Sequence, residues 1–104
     1  MQPAHEGMRA RPSSKEVMRN LQDRGLLSLL QEVATRWHCT AEEVAGPSVV
    51  TPMPTARADL WSRLREPPYS WSYTRISQIC GVDTSTVITS VKNYRKRQQK
   101  VGAP

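Results

Sequence analysis

The sequence predicts an all-α fold of five or six helices that contains a helix-turn-helix, and three observations support this prediction. Apolar residues recur at helical spacings of three and four along most of the chain. Strand patterns are weak, since Val49-Val50-Thr51 is short and lies between prolines. Near the C-terminus, Gly81-Val82-Asp83 separates two helical patterns. A length of 104 residues favours one domain with a modest core.

The first half of the domain contains three predicted helices. Ser13 lies three residues before Glu16 and forms a capping box for a first helix, which Gly25 ends or bends. The densest apolar stripe of the chain predicts the central core helix, and its members are Leu26, Leu27, Leu29, Leu30, Val33, Ala34 and Trp37. A second capping box at residues 40–43 predicts a short helix that stops at Gly46-Pro47.

The second half of the domain predicts a loop followed by further helices. The segment from Gly46 to Pro54 contains three prolines, so we expect an irregular loop. A helix from about Thr55 to Arg65 then ends before Pro67-Pro68. Its expected buried residues are Leu60, Trp61 and Leu64. Ser72 is the expected cap of the next helix.

The most informative pattern lies between Tyr73 and Tyr94. Ile76 and Cys80 share one helical face, and Gly81 can adopt the left-handed conformation that ends this helix. Asp83 is a good N-cap for a second helix, whose apolar stripe is Val87, Val91 and Tyr94. Two short helices joined by such a turn are typical of DNA-binding proteins, although an ordinary helical hairpin gives the same pattern.

The opposite face of this second helix carries groups that fit a DNA major groove. It presents small hydroxyls, one methyl-rich side chain and one cation, on Thr84, Ser85, Ile88, Thr89 and Lys92. A basic cluster without acidic residues follows directly, formed by Lys92, Arg95, Lys96, Arg97 and Lys100 in a chain of formal net charge +6. Such a run is often a solvated helix face or a frayed tail, but after a candidate recognition helix it indicates contact with phosphates.

Other functions find little support in the sequence. Cys39 and Cys80 lack the spacing of zinc ligands, His38 does not complete a metal site, and Cys80 is expected to be a reduced core residue. Neither a catalytic constellation nor a glycine-rich phosphate loop is present, so we expect no enzymatic activity and no metal, cofactor or small-molecule substrate. The basic segment lacks the apolar face of an interfacial helix, so we expect no membrane partner. The expected location is the cytoplasm, in association with the nucleoid.

Between Leu29 and Arg95, four segments in order resemble the C-terminal duplex-DNA-binding domain of the bacterial replication initiator DnaA. The opening of that domain, where a Val-Ala pair and an aromatic residue precede a short acidic helix, resembles LLQEVATRWHCTAEEVAG. Its A-R-x-x-A-x-Y-L helix is similar to TARADLWSRL, with matches at Ala56 and Arg57.

The two motif helices carry the rest of the resemblance. The family's S-x-x-x-I-G-x-x-F-G helix is similar to SYTRISQICG, and its R-D-H-T-T-V signature is similar to VDTSTVITSV. The matched positions are Ser72, Ile76, Gly81, Asp83, Thr86 and Val87, with Ser85 in place of a threonine.

The resemblance implies a fold like that of the DnaA C-terminal domain and Trp repressor over residues 13–100, with the second motif helix in the major groove. It carries over Asp83, Thr84, Ser85 and Thr86 as contacts to bases and phosphates at the helix N-terminus. In the alternative, Asp83 only caps the helix and Thr86 only packs. The expected DNA contacts in full are Asp83, Thr84, Ser85, Thr86, Ile88, Thr89, Lys92, Arg95, Lys96 and Arg97, with Arg57 and Arg75 as further candidates. Residues 1–12 are expected to form a disordered tail, and residues 101–104 a flexible end or the start of a linker.

Two departures from the family bear on function. Thr84 stands where the signature has His, so one direct contact is lost or changed. The loop that is rich in arginine in the family and reaches the minor groove is here Gly46 to Pro54, which has no positive charge. The chain also lacks the initiator's ATPase region, so we do not expect it to recognise the initiator's own site or to open an origin.

A DnaA-like domain without the ATPase resembles the DNA readers in transcription regulators of phages and of phage-derived gene-transfer agents. We therefore expect sequence-preferring binding of double-stranded DNA by a transcription regulator, which contacts RNA polymerase or another transcription component through a domain outside this chain. The alternatives are a replication accessory factor at origin DNA and a protein-interaction module that retains the fold. The uncharged loop favours the interaction module, and the basic cluster opposes it.

Overall fold

In a computed structural model of the protein, residues 12–102 are described, and they form six helices without a strand among them. The helices are α1 (Ser14–Asp23), α2 (Leu27–Arg36), α3 (Ala41–Ala45), α4 (Met53–Arg65), α5 (Tyr73–Cys80) and α6 (Thr84–Gly102). This confirms the predicted all-α class. Of the expected disordered tail, residues 1–11 lie outside the described part of the chain, as do residues 103–104. The helix α6 continues to Gly102, within the segment expected to be a flexible end.

Both predicted capping boxes are present, and each begins a helix where it was expected. The Oγ atom of Ser13 accepts a hydrogen bond from the backbone N–H of Glu16 at 3.2 Å, and the Glu16 carboxylate accepts one from the backbone N–H of Ser13 at 2.8 Å. Thr40 and Glu43 exchange the same pair of hydrogen bonds at 3.1 and 2.9 Å. Ser72 caps α5 by accepting from a backbone N–H at 3.0 Å. These caps satisfy N–H groups that have no acceptor within the first helical turn.

The helix α4 begins earlier than the sequence pattern predicted. The prediction of an irregular loop as far as Pro54 was wrong at its end, because Met53 and Pro54 belong to the first turn of α4. Proline is compatible with this position, since the N–H groups of the first turn have no intrahelical acceptor and the fixed φ of proline suits a helix. The helix ends at Arg65, as predicted.

The central helix of the fold is α4 rather than α2. It packs against α2, α3, α5 and α6, and the polar residues Asp59 and Ser62 are among those that it buries. By contrast, α2 lies against α1, α3 and α4 and buries Leu29, Leu30, Val33 and Ala34. The apolar stripe of α2 suggested the opposite order, because hydrophobic periodicity does not reveal the burial of small and polar residues on α4.

A polar cluster around Asp59 joins α2, α4 and α6 inside the fold. Asp59 is 3% exposed, and its carboxylate accepts hydrogen bonds from Nε1 of Trp37 at 2.8 Å and from Nε of Arg63 at 3.0 Å. The ring of Trp37 meets the ring of Tyr94 edge-on, with the centroids 6.4 Å apart. Burial raises the pKa of Tyr94, and the Asp59 carboxylate adds to this effect. These contacts fix the rotation of α6 relative to α4.

Trp37 itself departs from the prediction that it is largely buried. It is half-buried, because it lies just beyond the C-terminal end of α2 rather than within the helix. The indole N–H reaches the buried Asp59 carboxylate and the ring contacts Tyr94, while part of the side chain remains exposed to solvent. A side chain with an apolar body and a polar N–H is well suited to such a position.

Candidate nucleic-acid interface

The α5–α6 pair is joined by the three-residue turn Gly81-Val82-Asp83. Gly81 has a φ of 72°, in the left-handed region, and its N–H donates to the carbonyl of Ser77 at 2.9 Å. The carbonyl of Asp83 accepts from the N–H of Val87 at 3.1 Å, so Asp83 stands at the N-cap position of α6. The predicted roles of Gly81 as helix terminator and of Asp83 as the residue before the second helix are confirmed.

The rotation of α6 about its axis agrees with its apolar stripe. Val87 and Val91 are completely buried, and Tyr94 is 5% exposed. Val87 and Val91 belong to the same core cluster as Ile76 and Cys80, and α6 packs against both α4 and α5. The opposite side of α6 consequently faces solvent.

The solvent-facing side of α6 is formed by Ser85, Thr89, Lys92 and Lys96, which we call the α6 outer stripe. Their spacings of four, three and four place them in one line along the helix. All four residues are exposed. The helix contains no acidic residue between Thr84 and Gly102. The outer stripe thus begins with two hydroxyl groups and continues with two cations.

Thr84 does not belong to this exposed face, contrary to the sequence interpretation. It is half-buried, and its Oγ1 atom lies 3.0 Å from Oγ of Ser77 on α5. Ser77 donates its single hydroxyl proton to the carbonyl of Thr74 at 2.8 Å, so Thr84 must be the donor in the hydroxyl pair. The hydroxyl of Thr84 therefore has no proton for a base, and it can act toward a ligand only as an acceptor or through its methyl group.

The other candidates at the start of α6 differ in exposure. Asp83 and Thr86 are exposed, whereas Ile88 is half-buried at the flank of the outer stripe. The exposure of Thr86 therefore argues against the alternative in which this residue serves only for packing. Thr86 lies one residue beyond Ser85, and the two together present hydroxyl groups within the first turn of α6.

Arg95 is held against α4 instead of projecting freely with the other cations. Its Nε donates to the Ser62 hydroxyl at 3.1 Å, and its Nη2 donates to the Ser62 carbonyl at 3.3 Å and to the Glu66 carboxylate at 3.4 Å. The neighbouring cations Lys96 and Arg97 are exposed. A phosphate that bound Arg95 would have to compete with Glu66, so Lys92, Lys96 and Arg97 are the stronger candidates for phosphate contact.

The two further arginine candidates have different surroundings. Arg57 donates from Nε to the carbonyl of Val44 at 2.8 Å and from Nη2 to the carbonyl of Glu43 at 3.2 Å, and so braces the end of α3. Arg75 is exposed on α5, with its guanidinium 4.5 Å from the centre of the Trp71 ring. Arg75 is therefore better placed than Arg57 for contact with a large polyanion.

A second cation–ring contact lies beside Arg75, and sequence reasoning missed both. The guanidinium of Arg65 lies 4.0 Å from the centre of the Tyr73 ring, and Nη1 donates to the carbonyl of Trp71 at 3.1 Å. The spacing of four residues between Trp71 and Arg75 was a signal for the first contact. The contact of Arg65 with Tyr73 joins two helices, so no pattern within a single helix predicts it.

The loop between α3 and α4 presents apolar groups to solvent. Val49 is 83% exposed and Val50 is 64% exposed, and neither has a charged neighbour within the loop sequence Gly46 to Pro52. Beneath the start of this loop is a cavity of about 260 Å³, whose wall includes Gly46, Trp61, Cys80 and Gly81. Burial raises the pKa of Cys80 to about 11, so its thiol is protonated at neutral pH and is a poor nucleophile.

Within residues 12–102, no three residues of the types that bind metals come together in a group. The same part of the chain contains no helix that is both long and apolar enough to cross a bilayer. Comparison with models of known families, with curated proteins and with solved structures found no match to this chain. Its function is therefore inferred from the arrangement of its own residues.

Proposed function

We propose that this chain is a sequence-preferring double-stranded DNA-binding domain in which α6 enters the major groove. The observation that carries the proposal is the α6 outer stripe, where Ser85 and Thr89 precede Lys92 and Lys96 on an exposed face without acidic residues. An α-helix with its side chains is about 10–12 Å wide, which fits a major groove about 12 Å wide.

The order of groups along the stripe suits the two kinds of contact that DNA offers. Hydroxyl groups near the N-terminus of a recognition helix can donate to and accept from base edges. Cations further along the helix, on Lys92, Lys96 and Arg97, can meet phosphates where the helix leaves the groove. Arg75 lies on α5, the first helix of the pair. In this mode of docking the first helix crosses the DNA backbone.

The resemblance to the DnaA C-terminal domain supports this function and its assignment to a transcription regulator, with a role as a replication accessory factor as the alternative. A DNA reader of this kind acts in the cytoplasm on the nucleoid and needs no cofactor. Its target sequence would be set mainly by Ser85, Thr86 and Thr89, because Thr84 already donates its proton to Ser77.

A protein-interaction module is the second candidate function, and the exposed valines of the loop favour it. Val49 and Val50 are the large hydrophobic residues with high exposure in the described part of the chain. Two valines are a small apolar surface, however, and isolated exposed apolar residues are common on soluble proteins. The outer stripe of α6 is larger and chemically more specific, so DNA remains the favoured partner.

Fluorescence anisotropy with a labelled duplex at several salt concentrations tests the proposal. If Lys92, Lys96, Arg97 and Arg75 each meet a phosphate, log K should fall with log salt with a slope of about −3 to −4. Selection of bound sequences from a random duplex library then identifies the preferred site. Absence of binding at low salt would contradict the proposal and leave the interaction module as the better explanation.

A further inference from the structure

The cavity of about 260 Å³ lies where α1, α3, α4 and the α5–α6 turn meet. Its inner wall includes the buried side chains of Val44, Leu60 and Trp61. Pro12 and Val82 also line it and are only partly buried, so a small molecule can reach the cavity from solvent on the side of the turn. The wall contains no residue of the α6 outer stripe, so a ligand in the cavity and DNA on the stripe would occupy different surfaces.

Close contacts of the segment from Pro12 to Ser14 fix the rim of the cavity. A Cβ atom built on Gly81 would overlap the ring of Pro12, and a Cβ atom built on Gly46 would lie 2.5 Å from Oγ of Ser14. The segment is therefore in contact both with the turn before α6 and with the end of α3. These contacts make the cavity a pre-formed feature of the fold, as most sites for small molecules are.

The composition of the wall selects the chemical class of a ligand. Most of the lining residues are apolar, so an apolar molecule gains free energy by leaving water for this cavity. Arg57 is the charged residue of the wall, and its guanidinium is held in place by hydrogen bonds to the carbonyls of Val44 and Glu43. This charge disfavours a cationic ligand, but a guanidinium attracts the face of an aromatic ring. The indole ring of Trp61 favours an aromatic neighbour as well.

We propose that this cavity is a binding site for a small, uncharged aromatic molecule. Its volume of about 260 Å³ is larger than the cavity of about 150 Å³ that holds benzene in an engineered protein, and smaller than the pockets of about 300–1,000 Å³ that hold drug-sized ligands. A molecule with one substituted ring or two fused rings matches this size. The inference goes beyond the proposed DNA-binding function and does not depend on it.

A titration of the full chain with phenol and with cyclohexanol tests this inference. The two probes have the same heavy atoms in the same arrangement, but only phenol is aromatic, and it is uncharged at neutral pH. Amide and indole N–H chemical shifts follow the binding of each probe. We expect saturable shifts that are largest at Trp61 and Val82, with phenol bound about two- to fivefold more tightly, as one cation–ring contact provides.

Three results of this titration would overturn the proposal. The absence of saturable shifts would show that the cavity takes no such ligand. Shifts that are largest at the exposed Val49 and Val50 would place the binding on the loop instead. Equal affinities for phenol and cyclohexanol would overturn the assignment to aromatic ligands.

A variant that fills the cavity provides the matched control. Val82→Phe adds a ring to the wall of the cavity and should abolish the binding of phenol. Val49→Phe makes the same substitution at a position that is 83% exposed and outside the wall, so it should leave the binding unchanged. Binding of phenol to a folded Val82→Phe variant with unchanged affinity would overturn the site.

The two cysteines of the unmodified protein provide a second measurement that needs no variant. Cys80 lines the cavity, whereas Cys39 does not. At a phenol concentration about nine times the Kd, the reaction of Cys80 with iodoacetamide should slow about tenfold, because about nine-tenths of the sites are occupied. The rate at Cys39, measured in the same samples by mass spectrometry, should not change. An unchanged rate at Cys80, or equal slowing of both thiols, would overturn the site.

Discussion

The Oγ atom of Ser77 lies 3.0 Å from Oγ1 of Thr84, and this pair of hydroxyl groups links α5 to the first turn of α6. Since Ser77 donates to the carbonyl of Thr74, the proton between the two hydroxyls comes from Thr84. The link lies directly across the turn at Gly81 and helps to set the angle at which α6 leaves α5. Thr84 is therefore a positioning residue for the helix that carries the outer stripe.

Replacing Thr84 by Val keeps the shape of the side chain and removes the hydroxyl group. We expect Thr84→Val to lower the free energy of unfolding by about 0.5–1.5 kcal/mol, which is typical of one hydrogen bond, and Ser77→Ala to lower it further because the bond to the Thr74 carbonyl is also lost. The double variant should lose less than the sum of the two, because both changes remove the same contact. Urea denaturation measures these values, and strictly additive losses would show that the hydroxyl pair contributes nothing to stability.

Substitutions in the α6 outer stripe should distinguish residues that read bases from residues that contact phosphates. Ser85→Ala and Thr89→Ala should reduce the ratio of affinities for the selected and a random duplex, because each removes a group that can read a base edge. Lys96→Ala should weaken both duplexes about equally and make the salt slope less negative by about 0.9. Thr84→Val should change the ratio less than Ser85→Ala does. If Ser85→Ala and Thr89→Ala leave the ratio intact, bases are read elsewhere.

The features of the fold that the sequence predicted correctly are local ones. The capping boxes at Ser13 and Thr40 involve residues three apart, and the turn at Gly81 follows from one residue that tolerates a positive φ. The apolar stripe of α6 is likewise a spacing within one helix. Such features depend on neighbours in sequence, so they can be read without knowledge of the tertiary structure.

The features that sequence reasoning missed depend on contacts between distant elements. Asp59 gave no sign that it would be buried, because its partners Trp37 and Tyr94 are distant from it in sequence. Arg95 belongs to a basic cluster in sequence, yet it is held by Ser62 on α4. Thr84 is an exception, because it lies three residues before Val87 and seven before Val91, and this spacing already places it beside the buried stripe of α6.

The buried carboxylate of Asp59 should contribute more to stability than an exposed carboxylate that shares its partner. Asp59→Ala removes the acceptor of Nε1 of Trp37 and of Nε of Arg63, and we expect a cost of about 3 kcal/mol. Glu32 also pairs with Arg63, at 3.0 Å, but its side chain is 68% exposed. Glu32→Ala should therefore cost less than about 1 kcal/mol. Equal costs in chemical denaturation would show that the Asp59 cluster does not stabilise the packing of α6.

Val87 provides a test of the rotation of α6, with Val49 as a control of the same residue type. Val87 is completely buried, so Val87→Ala should cost about 1–3 kcal/mol through the loss of buried methyl groups and a small cavity. Val49 is 83% exposed, and Val49→Ala should change stability by less than about 0.5 kcal/mol. A thermal melt of Val87→Ala that matches the unmodified protein would mean that another face of α6 is buried.

Gly25 and Gly81 have nearly equal φ angles, so substituting each by alanine distinguishes the cost of backbone strain from the cost of a clash with Pro12. Gly25 has a φ of 74° and has open space where a Cβ atom would be, so Gly25→Ala should cost about 1–2 kcal/mol from the left-handed backbone alone. Gly81 has a φ of 72°, but its Cβ atom would overlap the Pro12 ring. Gly81→Ala should therefore cost about 1–3 kcal/mol more, as expected for overpacking.

Thermal denaturation of the two variants measures this difference, since 1 kcal/mol corresponds to about 4–8 °C for a domain of this size. The double variant Gly81→Ala/Pro12→Gly should recover part of the loss, because it removes the ring that the new methyl group meets. Equal melting temperatures for Gly25→Ala and Gly81→Ala would mean that Pro12 does not rest on the turn.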